Sequence, residues 1–468
     1  MHDQIKPRSR REIPAVSKVL DALGQYDFSR PVVTDLVRRE LATIRARAEI
    51  PEFKSIVDSV RRSLANLRST RLQPVINGTG IVIHTNLGRA PLAPEAVRAL
   101  NEIGPAYSNL EYDLVTGERG RRGAYIENAL ALLCDAESAT VVNNCAAALV
   151  LIVHHFTKGR ARSELARRGE GAPEVVISRG EMVQIGGGFR IGEIIEAAGA
   201  KVRDVGATNK TTLSDYAKAV GRNTALILKV HRSNFFMSGF VESPSSAALA
   251  ALARKKRVPF VEDLGSGAIF PTERLRLAEH EPTPAEALKD GAGLVCFSGD
   301  KLFGGPQAGI IAGKKRFVAA LKREPLFRAL RGDKLVFAAL QATIDLHLDQ
   351  SGGLPAIALL QVTEDELRAR AAAIVGRLEG LPMRIAIGYG TVKVGGGTLP
   401  KSTMPSVTID IVPKNCSLAE LAARLRASNP PVIGYFANGR FKLDLRTIFP
   451  QQDELVVAAL REACANTI

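Results

Sequence analysis

Apolar residues recur every three or four positions near the start of the chain. Val16, Val19, Leu20 and Leu23 form one such set, and Leu36, Leu41 and Ile44 another, with arginine-rich faces between them. This spacing puts an apolar stripe on each of several helices and predicts a small helical domain over 1–70. Pro31 and Pro51 each suit a helix start, where a missing N–H costs nothing. From Val75 the texture changes. Short apolar runs (Val75–Ile76, Ile81–Ile83, Thr140–Val142, Glu174–Ile177, Leu226–Val230, Pro259–Glu262, Leu294–Phe297, Ile310–Ala312) alternate with helical stretches such as Ala124–Leu133 and Ser246–Lys255. Strands separated by helix-length segments predict crossover units, and so an α/β domain over 71–350 with a mostly parallel sheet covered on both faces. Further on, Thr363-x-x-Glu366 and Ser417-x-x-Glu420 match capping boxes. Strand candidates lie at Ser406–Ile411, Val432–Phe436 and Phe441–Leu445, with the hairpin signal Asn438-Gly439 between the last two. With a final helix at Asp453–Cys464, these predict a linker helix and a small α+β domain over 351–468.

Composition adds a partner class. Of 468 residues, 46% are hydrophobic and 24% charged, as in ordinary globular proteins, which argues against disorder. Lys and Arg number 63 against 48 Asp and Glu, a net charge of +15 that favours polyanionic partners. The first 70 residues share this surplus modestly, with 14 basic and 9 acidic residues. Five cysteines without paired spacing predict no disulfide framework and a reducing cytoplasm. No metal site is expected: the cysteines lack ligand spacing, and His154-His155 lacks a third ligand. The N-terminal MHDQIKPRSRREIP has no apolar core, so no signal peptide is expected. The longest apolar stretch, Ala146–Val153, is far short of the roughly 20 residues of a membrane span.

The candidate chemistry lies in the α/β region. In Phe297-Ser-Gly-Asp-Lys-Leu-Phe-Gly-Gly-Pro-Gln-Ala-Gly309 a lysine follows a strand closely, with glycines on both sides. A flat ring could approach the backbone there, and a buried Lys301 would serve as nucleophile and base. Ser298 offers a hydroxyl to a phosphate. The run Val258-Pro-Phe-Val-Glu-Asp263 ends an apolar strand on a carboxylate, at the edge where open α/β sheets bind ligands. Such a carboxylate can keep a pyridine nitrogen protonated. Upstream, Thr140-Val-Val-Asn-Asn-Cys-Ala reads as strand, turn and helix start. The free N–H groups of Asn143, Asn144, Cys145 and Ala146 would form a phosphate cup there.

Cup, strand-end Asp and strand-end Lys, in that order, resemble the fold-type-I pyridoxal-phosphate enzymes of the aspartate aminotransferase superfamily. The longer runs INGTGIVIHTNLGRAPL (Ile76–Leu92), SNLEYDLVTGERGRRG (Ser108–Gly123), ISRGEMVQIGGGFRI (Ile177–Ile191), VHRSNF (Val230–Phe235), VEDLGSG and SGDKLFGGPQAG closely resemble the bacterial selenocysteine synthases over essentially the whole chain. That resemblance implies that Lys301 carries pyridoxal 5'-phosphate, with Asp300 a catalytic carboxylate beside it. It also implies that Asp263 pairs with the ring nitrogen and that Gln184 lies against the ring face. The implied reaction is β-replacement on seryl-tRNA(Sec): the serine hydroxyl leaves and selenium from selenophosphate adds at the β-carbon. Arg89, Arg328 and Arg331 are the implied anion-binding residues. The helical domain, with Arg38, Arg39, Arg45, Arg47, Arg61 and Arg62, would grip the tRNA. The family assembles as a ring of dimers, implying a homo-oligomer of decamer size. Two other functions fit the residues: a small-molecule lyase or desulfurase of the same fold, and an RNA-binding protein with a dead cofactor site.

Overall fold

The structure is a computed structural model that describes residues 12–465 except 48, 162–170, 276, 278 and 351. The first eleven residues, including most of the basic N-terminal run, lie outside the described residues. No described helix is long and apolar enough to cross a membrane. By contacts the chain forms two compact units, Met1–Val75 with Ala427–Pro431, and Ile76–Arg426 with Val432–Ile468.

In the first unit, helices Val16–Leu23, Arg30–Arg45 and Phe53–Ser69 bury their apolar stripes in one cluster. Val19, Val33, Val37, Leu41, Ile44, Ile56 and Val60 form its centre. The six arginines named above are all exposed.

The second unit is built on a seven-stranded sheet: β1 (Ser138–Val142), β2 (Glu174–Ser178), β3 (Lys201–Val205), β4 (Thr224–Val230), β5 (Phe260–Gly265), β6 (Leu294–Ser298) and β7 (Gly309–Gly313). Their order is β1-β7-β6-β5-β4-β2-β3. Only β7 runs antiparallel to its neighbours. The link from Ser298 to Gly309 is too short for a crossover, which takes a dozen residues or more, so the chain must turn back. Alternation along each strand feeds two cores. Val295 and Phe297 enter one hydrophobic cluster, whereas Leu294 and Cys296 enter the other. Sheets buried on both faces produce the unbroken apolar runs seen in the sequence.

A second sheet has five strands, in the order Tyr435–Ala437, Arg440–Asp444, Thr398–Pro413, Met383–Gly395 and Ile81–Ile83. The hairpin at Asn438-Gly439 has φ of 52° and 69°, the two positive angles a tight type I′ turn requires. Both capping boxes form, at Thr363 with Glu366 and at Ser417 with Glu420. Two expectations need correction. Ile81–Ile83 is not part of the large sheet but pairs in parallel with Met383–Gly395, and Ile76–Asn77 pairs with Val432–Ile433. A run of two or three apolar residues carries no information about a partner 300 residues away.

Candidate functional site

The carboxyl ends of β1, β5 and β6 lie along one edge of the large sheet, and each delivers one part of the candidate site. Ser298, Gly309 and Val142 stand in one row across β6, β7 and β1. The turn carrying Asn143 and Asn144 therefore lies close to the end of β6. A side chain at Gly309 would meet the Asn144 carbonyl oxygen at 2.1 Å, so only glycine lets the two segments approach this closely.

Lys301 is held by a compact loop. Gly299 donates to the Ala308 carbonyl at 2.8 Å, Gly304 to that of Lys301 at 3.0 Å, and Leu302 to that of Ser266 at 3.0 Å, which docks the loop onto the turn after β5. The lysine is 8% exposed, and its amine makes no hydrogen bond to a described residue. A Cβ at Gly265 would lie 3.7 Å from its Nζ and 4.0 Å from Asp263 Oδ1, and one at Gly397 would lie 3.9 Å from Nζ. The amine and the carboxylate thus border a common space walled by glycine backbone.

The electrostatics of this space are set by burial. Desolvation lowers the pKa of Lys301, further lowered by Arg89 and opposed by Cys145, Asp263 and Asp300. Desolvation raises that of Asp263, opposed by Lys301 and by the Cys145 thiol, whose Sγ lies 3.6 Å from Asp263 Oδ1. Both groups are pushed toward their neutral forms by burial.

Asp300, next to the lysine, accepts a hydrogen bond from Arg89 at 2.7 Å on Oδ2, while its Oδ1 is buried with no partner among the described residues. Arg89 sits at φ 67°, a left-handed conformation costly for a side-chain-bearing residue. It is held there by its own N–H to the His84 carbonyl and by the N–H of Ala90 to the Asp300 carbonyl. His84 itself accepts from the Asn86 N–H and caps a short turn; burial lowers its pKa.

At the start of helix Cys145–Ala161, Asn144 Oδ1 accepts the Ala147 N–H at 2.8 Å. The Asn143 N–H is spent on the Leu330 carbonyl at 2.8 Å. The amides of Asn144, Cys145 and Ala146 have no backbone acceptor among the described residues, so the cup holds three donors, not four.

The remaining predicted residues make no hydrogen bond to Lys301, Asp263 or Asp300 among the described residues, although the Gln184 carbonyl accepts from Asn234 Nδ2 at 2.7 Å and Asn234 Cβ lies 3.2 Å from a Cβ at Gly397. Gln184 is exposed, and its Oε1 accepts from Arg190 at 3.4 Å. Arg331 lies past the end of helix Pro325–Leu330, so it and Arg328 form no stripe on one helix face. Arg331 donates to Glu111 at 3.2 Å, alongside Arg122 and Arg119, each at 2.9 Å. Arg122, hydrogen-bonded to Glu111, is the largest cause of that carboxyl's pKa lying below the ordinary range. Three guanidinium groups on one carboxylate leave two positive charges uncompensated. Arg328 is exposed and makes no hydrogen bond or ion pair to a described residue.

Sequence reasoning missed three contributors. Gly397 follows a strand that was not foreseen. Ser233, whose Oγ is 3.4 Å from a Cβ at Gly265, lies in VHRSNF, a flagged run to which no role was given. Cys296 pairs across the sheet with Asp263 and comes close to Cys145 only in three dimensions.

The sequence profile of the L-seryl-tRNA selenium transferase family matches residues 75–449. The chain belongs to that family. It is 41% identical to the L-seryl-tRNA(Sec) selenium transferase of Carboxydothermus hydrogenoformans, covering 94% of this chain and 95% of that one. The corresponding protein of Geotalea daltonii is 42% identical over 96% and 98% of the two chains. Among solved structures, D-glucosaminate-6-phosphate ammonia-lyase superposes with a TM-score of 0.59 at 22% identity, over 85% of this chain and 97% of that one, a likeness of fold. That fold is the fold-type-I architecture of pyridoxal-phosphate enzymes. The family site has features this cofactor would need: a buried amine without a hydrogen-bond partner, a buried carboxylate at a strand end, a glycine-walled space shared by both, and free amides at a helix start.

Proposed function

We propose that this chain converts L-seryl-tRNA(Sec) to L-selenocysteinyl-tRNA(Sec), using pyridoxal 5'-phosphate held at Lys301 and selenium from selenophosphate. The observation that carries the reading is the shared space between the Lys301 amine and Asp263, in a chain matched to this family along most of its length. Asp263 would pair with the ring nitrogen. Ser298 and the amides of Asn144, Cys145 and Ala146 would hold the phosphate, with Asn143 fixing the turn and Gln184 against the ring face. When bound, the cofactor supplies an electron sink for the charge left at the seryl α-carbon once its proton is gone.

The protein's own groups handle the protons. Lys301, lowered in pKa by burial, is suited to accept the α-proton at Nζ. Asp300 keeps one oxygen on Arg89, and the other, buried and without a partner among the described residues, would turn to the substrate as it binds. It would assist departure of the serine hydroxyl. Arg89, part exposed, and the surplus charge of Arg331 and Arg328 would attract the selenophosphate anion, whose oxygens match a planar guanidinium fork.

The exposed arginines of the helical unit would bind the tRNA through its phosphates and shape. Tyr107, Leu114, Val115 and Phe240 are largely exposed in the single chain. Apolar groups of this size favour burial between copies, which supports a homo-oligomer, here proposed as a ring of dimers working in the cytoplasm. The test is incubation of the cofactor-loaded protein with seryl-tRNA(Sec) and selenophosphate. Selenocysteinyl-tRNA is expected. Its absence, with cofactor demonstrably bound, would overturn this function, and turnover of a free amino acid instead would favour the small-molecule lyase or desulfurase.

A further inference from the structure

Two thiols that the reaction above does not use lie beside Asp263. Cys296 on β6 and Asp263 on β5 are cross-strand partners, so their side chains share a face of the sheet. The helix Cys145–Ala161 packs on that face through Ala148, Leu151 and Ile152 and brings the thiol of its first residue down to the same point. The two sulfurs and a carboxylate oxygen all lie within 4.8 Å of one another, the one such cluster of potential metal ligands among the described residues. Cys296 is wholly buried and Asp263 nearly so.

The distances suit one particular kind of ligand. A tetrahedral ion with a sulfur at about 2.3 Å and a carboxylate oxygen at about 2.1 Å holds those two atoms roughly 3.6 Å apart. Cys145 Sγ and Asp263 Oδ1 are 3.6 Å apart. Two thiolates select soft or borderline cations over magnesium or calcium. Three protein ligands leave one position open to water, as in metal sites that exchange their ion. We propose that Cys145, Cys296 and Asp263 bind a thiophilic divalent cation of the zinc and cadmium class, and that this ion and the cofactor exclude one another.

Binding would convert two thiols to thiolates and release their two protons to solvent, with a third from any protonated Asp263, so affinity rises with pH. The resulting cluster, two thiolates and a carboxylate on a doubly charged ion, carries one net negative charge beside the Lys301 amine. Asp263 bound to the ion through Oδ1 would give up much of the negative charge that holds a protonated ring nitrogen, so ion and cofactor compete for it. That half of the proposal rests on the reading of Asp263 given under Proposed function; the metal site itself does not.

The test uses full-length protein with Cys416→Ser and Cys464→Ser, which removes the two remaining half-buried thiols, stripped of cofactor and titrated with cadmium. A near-ultraviolet thiolate-to-metal absorption saturating at one ion per chain is expected. Binding should weaken at least tenfold on further Cys145→Ser or Cys296→Ser substitution but not on Cys134→Ala. No absorption, or absorption indifferent to Cys145 and Cys296, overturns the site. Saturating pyridoxal phosphate should suppress the absorption; an undiminished signal with cofactor bound overturns the exclusion. A protein that gives the cadmium signal yet binds no pyridoxal phosphate supports the metal site and refutes the cofactor reading.

Discussion

Gly267→Ala should disable the site from below without touching a ligand. Gly267 turns the chain after β5 at φ 74°, and a Cβ there would stand 2.5 Å from the Ser298 carbonyl oxygen and 3.1 Å from Phe303 Cβ. The nearer of these neighbours is backbone, so no rotamer change relieves the contact. The left-handed conformation costs a side-chain-bearing residue about 1–2 kcal/mol, and overpacking adds roughly 1–3 kcal/mol. A total of roughly 2–5 kcal/mol is expected. At about 2 cal/mol/K per residue, a chain of 468 residues unfolds with an entropy near 1 kcal/mol/K, so the melting temperature should fall by about 2–5 °C. Relief requires Ser298 to move, and Lys301 is three residues further on. Cofactor affinity should therefore drop at least tenfold, read as loss of the visible absorption of bound pyridoxal phosphate. Gly380→Ala is the control: it shares the positive φ, at 84°, but its Cβ would meet nothing within 4 Å. It should lose only the backbone contribution and keep its cofactor. Equal melting temperatures and equal cofactor affinities for the two variants would refute the claim that this contact positions the lysine loop.

Arg89→Met leaves Asp300 without its cation; kcat should fall at least tenfold with cofactor still bound, and an unchanged kcat would remove the pair from the reaction. Glu181 is buried, and desolvation raises its pKa from 4.5 to about 7 against the opposing Val230 N–H bond. A raised carboxyl pKa stabilises the fold fully below pH 4.5, and that stability is lost as pH rises through 7. Glu181→Gln lacks this loss, so its stability relative to the parent should grow by about 3 kcal/mol between pH 4.5 and 7 and then level off, measured by denaturant titration; a flat difference would contradict the assignment. Replacing Arg38, Arg45, Arg47 and Arg62 by Ala should reduce the slope of log affinity for seryl-tRNA against log salt by roughly 0.7–0.9 for each lost phosphate contact, and an unchanged slope would place the tRNA elsewhere.

How much of this could be read in advance differed with the range of the information. Lys301 and Asp263 stand out because a strand end and its following glycines are local features, and local order along the chain becomes position along the sheet edge. The two-sided core was legible for the same reason, as β4, β5 and β6 are apolar on both faces. Strand Met383–Gly395 was not foreseen. It alternates exposed residues such as Arg384 with glycines, among them Gly388 and Gly390, across which the Asp410 and Asp444 side chains lie, and glycine in a strand interior reads as a break. Edge strand Lys201–Val205, half charged, was missed likewise. Arg331 was expected to bind an anion beside Arg328, and the sequence shows nothing of the carboxylate it meets in the fold. Its actual partner, Glu111, is 220 positions away. The closeness of Cys145 and Cys296 depends on helix packing that no linear spacing encodes.

The central claim is that the Lys301 amine condenses with the cofactor aldehyde. Borohydride reduction of the cofactor-loaded protein fixes that bond, and peptide mass spectrometry locates it. A pyridoxyl-phosphate adduct on the peptide containing Lys301, abolished in Lys301→Ala together with the visible absorption, is the predicted result. An adduct on any other lysine, or one that persists in Lys301→Ala with activity intact, would contradict it.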